Sequence, residues 1–309
     1  MRNALPSAGR GRRRPMRTFE YFAPSSLQEA IDIFRQRGDG GRLLAGGTDL
    51  VVQMKEGATK FPYPSYVVSL RRVQELKGIE FDESTGLRIG AGATMAEVAA
   101  SPVVRERYRA VAEGAGLVGS LQTMNMATVG GNLCNAAPSA DIAPSLLAHE
   151  AECHIAGPAG ERTLSLESFF LGPGQTALQP GELLVEVRVP PPPSNSGGIY
   201  VRHTPRKQMD IAAVGVAALL TLAGERIERA RIALGAVAPT PVRARQAEAL
   251  LEGQAASAEL FARAAEAAMA EARPISDVRG SADFRRHLVR VMTERCLREA
   301  AEGVRACAQ

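Results

Sequence analysis

Leu27, Ala30, Ile31 and Phe34 fall at i, i+3, i+4 and i+7 behind Ser25 and Ser26. That is the spacing of one helix face preceded by side-chain oxygens able to cap it. Gly38, Gly40 and Gly41 end this helix. On either side the pattern is strand-like: a short strand over 18–22, Leu43-Leu44 running into Gly46-Gly47, and an apolar run over 66–70. The beginning of the chain therefore reads as a compact βαβ-like unit. Residues 78–93 read as a hairpin turning at 82–86. Thr94 and Glu97 have the spacing of a capping box, and Ser101-Pro102 opens a helix expected to run toward Gly114.

Strand patterns return at 151–155 and 183–189, and then Pro190 to Pro193 and Ser194-Asn195-Ser196 interrupt them. This stiff, polar stretch is the natural boundary between domains. Beyond it, 198–202, 211–222 and 227–235 alternate as strands of a small antiparallel sheet, and Ala-rich helices follow over 244–252, 258–272 and 281–301. Strands and helices are segregated, so the fold class is α+β and not alternating βαβ. The expected division is a basic tail over 1–15, a first domain over 16–192 with subdomains at about 16–75 and 76–192, and a second domain over 193–309.

Charge changes the picture only at one end. The formal charge of +4 owes five arginines, Arg2, Arg10, Arg12, Arg13 and Arg14, to the stretch before Met16, and without them basic and acidic residues come to near parity. The basicity therefore belongs to a tail and does not indicate nucleic acid. An apolar segment should follow the arginines of a twin-arginine signal, and none does, so the tail is expected to be disordered, or Met16 to be the true start. No apolar run is long enough to span a bilayer. Cys134, Cys153, Cys296 and Cys307 form no C-x-x-C pair and no cluster with the four histidines, so no metal or iron-sulfur site is expected on this chain, and a reducing cytoplasm suits such thiols.

Two glycine-rich segments carry the candidate chemistry: Ala45-Gly46-Gly47-Thr48-Asp49, and Thr128-Val129-Gly130-Gly131-Asn132 within 127–135. Both read as turns. Each sets a side-chain oxygen beside a glycine pair, so main-chain amides can approach an anion such as a diphosphate, with Thr48, Thr128 and Asn132 as side-chain donors. One such pair alone is an ordinary turn; two together say more. The competing motifs are absent, because Gly90-Ala91-Gly92 has Met95 where G-x-G-x-x-G needs its third glycine, and no P-loop occurs.

Residues 122–144 read QTMNMATVGGNLCNAAPSADIAP. This stretch closely resembles the second flavin segment of the FAD-carrying electron-transfer subunits of molybdenum hydroxylases, the xanthine dehydrogenase and carbon monoxide dehydrogenase family. Residues 45–49 resemble the first segment, and 277–285, DVRGSADFR, resemble the family's C-terminal domain. The resemblance implies a two-lobed FAD-binding domain of the vanillyl-alcohol-oxidase-like type, followed by a small domain of antiparallel sheet and helices. It further implies that Ala45, Gly46, Gly47, Thr48 and Asp49 line one side of the FAD diphosphate and Thr128, Gly130, Gly131 and Asn132 the other, with Asn135 close by.

By the same resemblance Asp141 hydrogen-bonds ribityl or ribose hydroxyls, which is compatible with a second role as helix N-cap. Leu184 packs near the isoalloxazine ring, and Arg202, where the family often has lysine, approaches it; a core leucine and a solvated surface arginine are the plain alternatives. Met124 stands where the family usually has arginine. The cysteine-bearing insertion of the 4-hydroxybenzoyl-CoA reductases is missing, since Asn135 leads directly to Asp141.

The resemblance implies no catalytic side chain here. Ser120, His154 and Cys134 read as packing or turn residues. Substrate would be oxidised on a large molybdopterin subunit, a small iron-sulfur subunit would relay electrons, and FAD on this chain would pass them to an acceptor such as NAD or a quinone, in a dimer of heterotrimers. A free-standing flavoprotein on the same scaffold and a flavin-less structural subunit remain as alternatives.

Overall fold

A computed structural model describes residues 16–56, 62–206 and 209–307; the basic tail expected over 1–15 lies outside the described residues. The first lobe comprises β1 (Glu20–Phe22), α1 (Leu27–Arg37), β2 (Gly41–Leu44), α2 (Leu50–Glu56) and β3 (Tyr66–Ser69). Its three strands lie in the order β1-β3-β2, all parallel. Ser26 caps α1 by accepting from the Glu29 amide, and Gly38, at φ 71°, ends it. Ala30, Ile31, Tyr66 and Val68 form the lobe's own small core.

The second lobe begins with the hairpin β4 (Ile79–Asp82) and β5 (Gly86–Gly90). The Thr94–Glu97 capping box then opens α3 (Met95–Ala100). The helix expected from Pro102 toward Gly114 is in fact two: α4 (Pro102–Arg107) and α5 (Arg109–Gly116). Tyr108 separates them at φ −132°, fully buried, with its hydroxyl donating to the Pro190 carbonyl at 3.1 Å. Tertiary packing of one aromatic ring overrides the helical pattern there.

There follow α6 (Leu121–Met124), α7 (Val129–Asn135), α8 (Ile142–Ala148), β6 (Glu152–Gly157), β7 (Gly160–Ser165), α9 (Leu166–Phe169), the short pair β8 (Phe170–Gly172) and β9 (Gln175–Thr176), and β10 (Leu183–Val189). The large sheet of this lobe is antiparallel, in the order β4-β5-β10-β6-β7. Its register shifts between Leu184 and Glu186, a bulge in β10 where the chain faces the site described below.

After the proline run come β11 (Ser196–His203), β12 (Val214–Ala223), β13 (Arg226–Gly235) and β14 (Val242–Arg243), a meander in that order, and then α10 (Arg245–Leu251), α11 (Ala258–Glu271) and α12 (Ala282–Cys307). Residue 211, expected at the start of a strand, precedes β12 and is half exposed. β12 is buried along nearly its whole length because both faces of this sheet are covered. Helices α12 and α10 cover one face, with α11 packed on those two helices, and the wholly buried α8, together with α5, covers the other. Tyr200, Ala217 and Ala233 belong to the core of the second lobe, so the two domains share apolar packing.

Candidate cofactor site

β2 ends in Leu44, and the chain then turns through the first glycine segment into α2. Gly47 holds φ 77°, a conformation that residues with a Cβ adopt at a cost. Gly46 is glycine for a different reason: a Cβ there would lie 1.8 Å from the Met126 carbonyl oxygen and 3.1 Å from Ala127 Cα. The backbone of the first segment therefore rests on the residues leading into the second. Among the described residues, the amides of Gly46, Gly47 and Thr48 find no acceptor in the protein, so three consecutive donors stand at one wall.

The second segment is a short helix, not the turn expected from its sequence. Thr128 is the N-cap of α7, its Oγ1 accepting from the Gly131 amide at 3.1 Å. The Gly130 amide donates to Ala91 O at 2.8 Å, and that of Val129 to Ala93 O at 2.9 Å. These amides are thus committed within the protein and are not free for an anion. Gly130 serves close packing, because a Cβ on it would lie 2.7 Å from that of Ala91. What this segment offers a ligand is side chains: the Thr128 hydroxyl, which still has its proton to donate, and Asn132, whose Oδ1 is buried without a partner.

Between the lobes lies a cavity of about 1340 Å³. That exceeds the roughly 300–1,000 Å³ of ordinary small-molecule sites and suits a dinucleotide. Ala45, Gly46, Gly47, Thr48 and Asp49 line it from one side; Thr128, Gly130, Gly131, Asn132 and Asn135 line it from the other. Asp141 and Leu184 complete the set of expected residues on its wall. Leu184, 4% exposed, sits at the β10 bulge and supplies an apolar surface.

Arg202 is the exception. Its guanidinium neither lines the cavity nor lies solvated at the surface: the side chain is 5% exposed and donates to Asp141 Oδ2 at 2.5 Å. Asp141 occupies the N-cap position of α8 without capping it, because its other oxygen accepts from the Tyr200 hydroxyl at 2.9 Å. Burial raises the carboxyl to about 6, against the opposing pull of Arg202 and Tyr200.

Several lining residues escaped the sequence reading. Gln53, on the cavity side of α2, has its Oε1 buried without a partner. Its only signal was a polar residue in the otherwise apolar start of a helix. Asp210 and Ile211, from the loop between β11 and β12, close one end of the cavity, and nothing in their sequence suggested it. Burial pushes the Cys134 thiol up to about 12, so it stays protonated; Ser120 is the N-cap of α6, and His154 lies on β6 near Thr163. Among the described residues no group of three or more His, Cys, Asp or Glu side chains could hold a metal ion, and no helix is long and apolar enough to cross a membrane.

The family model described as the FAD binding domain in molybdopterin dehydrogenase matches residues 17–192, and that of the CO dehydrogenase flavoprotein C-terminal domain matches 199–300. The carbon monoxide dehydrogenase medium chain of Hydrogenophaga pseudoflava is 36% identical over 282 residues, 91% of this chain and 96% of the relative. The putative xanthine dehydrogenase FAD-binding subunit XdhB of Escherichia coli K12 is 32% identical over 91% of this chain and 95% of its own length. The solved carbon monoxide dehydrogenase of H. pseudoflava superposes with a TM-score of 0.87 at 37% identity, over 93% of this chain and 98% of that one. Quinoline 2-oxidoreductase from Pseudomonas putida 86 gives 0.86 at 33% identity, over 94% and 99%. The two-lobed fold and its cavity define a flavoprotein oxidoreductase subunit, and the chain belongs to the family of FAD-binding medium subunits of the molybdenum hydroxylases.

The residues present fit FAD. Three unpaired amides provide for a diphosphate, buried oxygens of Gln53 and Asn132 await donors, and any side chain at Gly46 would close the approach of the two segments.

Proposed function

We propose that this chain holds FAD in the cavity between its lobes and passes electrons from an iron-sulfur partner to an external acceptor. The carrying observation is the convergence of the two glycine segments, backbone against backbone, at a wall with three unpaired amides. When bound, FAD supplies chemistry that proceeds in either one- or two-electron steps. The Gly46, Gly47 and Thr48 amides grip the diphosphate, with Ala45 and Asp49 flanking them. Thr128 and Asn132 donate from the opposite side, Gly130 lets that segment pack closely on Ala91, Gly131 keeps the side low, and Asn135 lies at its end. Asp141 accepts from sugar or ribityl hydroxyls, and Leu184 offers the ring an apolar face.

The protein's part is to bind, orient and shield the cofactor; no nucleophile or acid pair is called for. Substrate oxidation then belongs to a large molybdopterin subunit, and a small iron-sulfur subunit lies between, in a dimer of heterotrimers in the cytoplasm, with NAD or a quinone as acceptor. The two domains divide at the proline run 190–193, residues 16–192 holding the cofactor and 193–309 backing it.

Purification from its native host with flavin, molybdenum and iron analysis tests this reading. The expected result is one FAD per chain in a complex containing molybdenum and iron. A flavin-containing chain that turns over NADH alone would favour the free-standing form, and a colourless chain in an intact complex would favour a structural subunit.

A further inference from the structure

Tyr200 and Arg202 lie two residues apart on β11, so both side chains leave the same face of the strand. That face meets α5 and α8 of the other domain. Tyr200 is 3% exposed, its amide donates to Glu113 Oε2 on α5 at 2.8 Å, and its hydroxyl donates to Asp141 Oδ1 at 2.9 Å. Arg202 donates to the other carboxylate oxygen at 2.5 Å. On the neighbouring strand Gly215 pairs with Arg202, and a Cβ there would lie 2.6 Å from the Tyr200 hydroxyl, so the glycine leaves the phenol its place. Neither Tyr200 nor Arg202 lines the cavity, whereas Asp141 does.

We propose that Tyr200 and Arg202 are positioning residues for the cofactor, fixing the Asp141 carboxylate in one orientation toward the cavity without lining it themselves. The proposal rests on Asp141 accepting hydrogen bonds from the cofactor's hydroxyls. Each carboxylate oxygen accepts more than one hydrogen bond, so holding one lone pair on each leaves the others available to a ligand. A buried acceptor locked by two donors is organised before the ligand arrives, so binding need not order it. Through these two side chains the C-terminal domain takes part in flavin affinity by way of the Asp141 carboxylate, in addition to the Asp210 and Ile211 it places on the cavity.

The test is the FAD dissociation constant, by flavin fluorescence titration of the flavin-stripped full chain in its native complex. Tyr200→Phe and Arg202→Gln are each expected to weaken binding about tenfold, the scale of losing a hydrogen bond to a charged group, and Arg202→Lys to recover most of it. The readout specific to positioning is a double-mutant cycle: in an Asp141→Asn background, Tyr200→Phe should have no further effect on affinity. Far-ultraviolet circular dichroism of each stripped variant checks the fold, and if Arg202→Gln fails to fold, the Tyr200 cycle decides alone. Binding by Tyr200→Phe within about twofold of the unmodified chain, or an equal loss in both backgrounds, overturns the proposal. An unmodified complex that takes up no FAD would refute the flavin reading itself instead.

Discussion

Gly46 and Met126 touch through their backbones: a Cβ added to Gly46 would lie 1.8 Å from the Met126 carbonyl oxygen. This contact joins the two lobes beside the cavity. It also brings three unpaired amides of the first segment opposite the Asn132 and Thr128 side chains of the second.

Gly46→Ala should therefore be costly in both stability and flavin content. The obstructing atom is backbone, which cannot swing aside, so the lobes must separate locally. Overpacking of this kind costs about 1–3 kcal/mol. Urea unfolding should register that loss, and the variant should purify with little FAD; normal flavin content would contradict the role of the contact.

Thr128→Ala removes the cap from α7. The Gly131 amide loses its acceptor, and the helix should lose about 1 kcal/mol. Thr128→Ser keeps the oxygen and should come within a few tenths of a kcal/mol of the unmodified chain in the same urea experiment.

Asp141 makes stability depend on pH in an unusual direction. Its folded carboxyl titrates at about 6 against an ordinary 3.8, so the folded state holds the proton more tightly. The associated stability is fully present below the unfolded value and is lost as pH rises through about 6. Unfolding free energy of the unmodified chain, relative to Asp141→Asn, should fall by about 2–3 kcal/mol between pH 4 and pH 7. A relative stability that rises over that window would refute the assignment.

In the C-terminal domain Arg243 and Glu248 form a buried bidentate pair, with two nitrogen–oxygen distances of 2.6 Å. Glu248 also accepts from the Ile232 amide at 2.8 Å, tying α10 to β13. Arg243→Ala leaves a buried carboxylate without its cation and should cost about 3–5 kcal/mol. The double replacement Arg243→Met with Glu248→Leu should cost much less, because no unpaired charge remains. Denaturant midpoints of the two variants check this.

The legible parts of the fold were those where local signals agree. For α1, Ser26, the 27/30/31/34 stripe and Gly38 all name the same helix, and the Thr94–Glu97 box marks the start of α3 as clearly. The second glycine segment was misread as a turn because paired glycines at a helix start run against helix propensity. The Thr128 cap and the packing of Gly130 on Ala91 form the helix anyway. The break at Tyr108 depends on a carbonyl at Pro190 that no local pattern can indicate.

Of the site residues, those within the two motifs could be placed on one cavity from sequence because the family resemblance covers both segments, although it left the helical form of the second unread. Arg202 could not. Its burial against Asp141 follows from β11 packing on α8, a long-range relationship that neither residue's neighbours encode. Gln53 and Ile211 likewise reach the cavity only through the way the lobes and the C-terminal domain come together.

The most direct test is a structure of the flavin-loaded protein, by crystallography or cryo-electron microscopy. The account predicts the FAD diphosphate within hydrogen-bonding distance of the Gly46, Gly47 and Thr48 amides, with Asn132 on its far side. Flavin density elsewhere on the chain, or a diphosphate remote from those three amides, would contradict it.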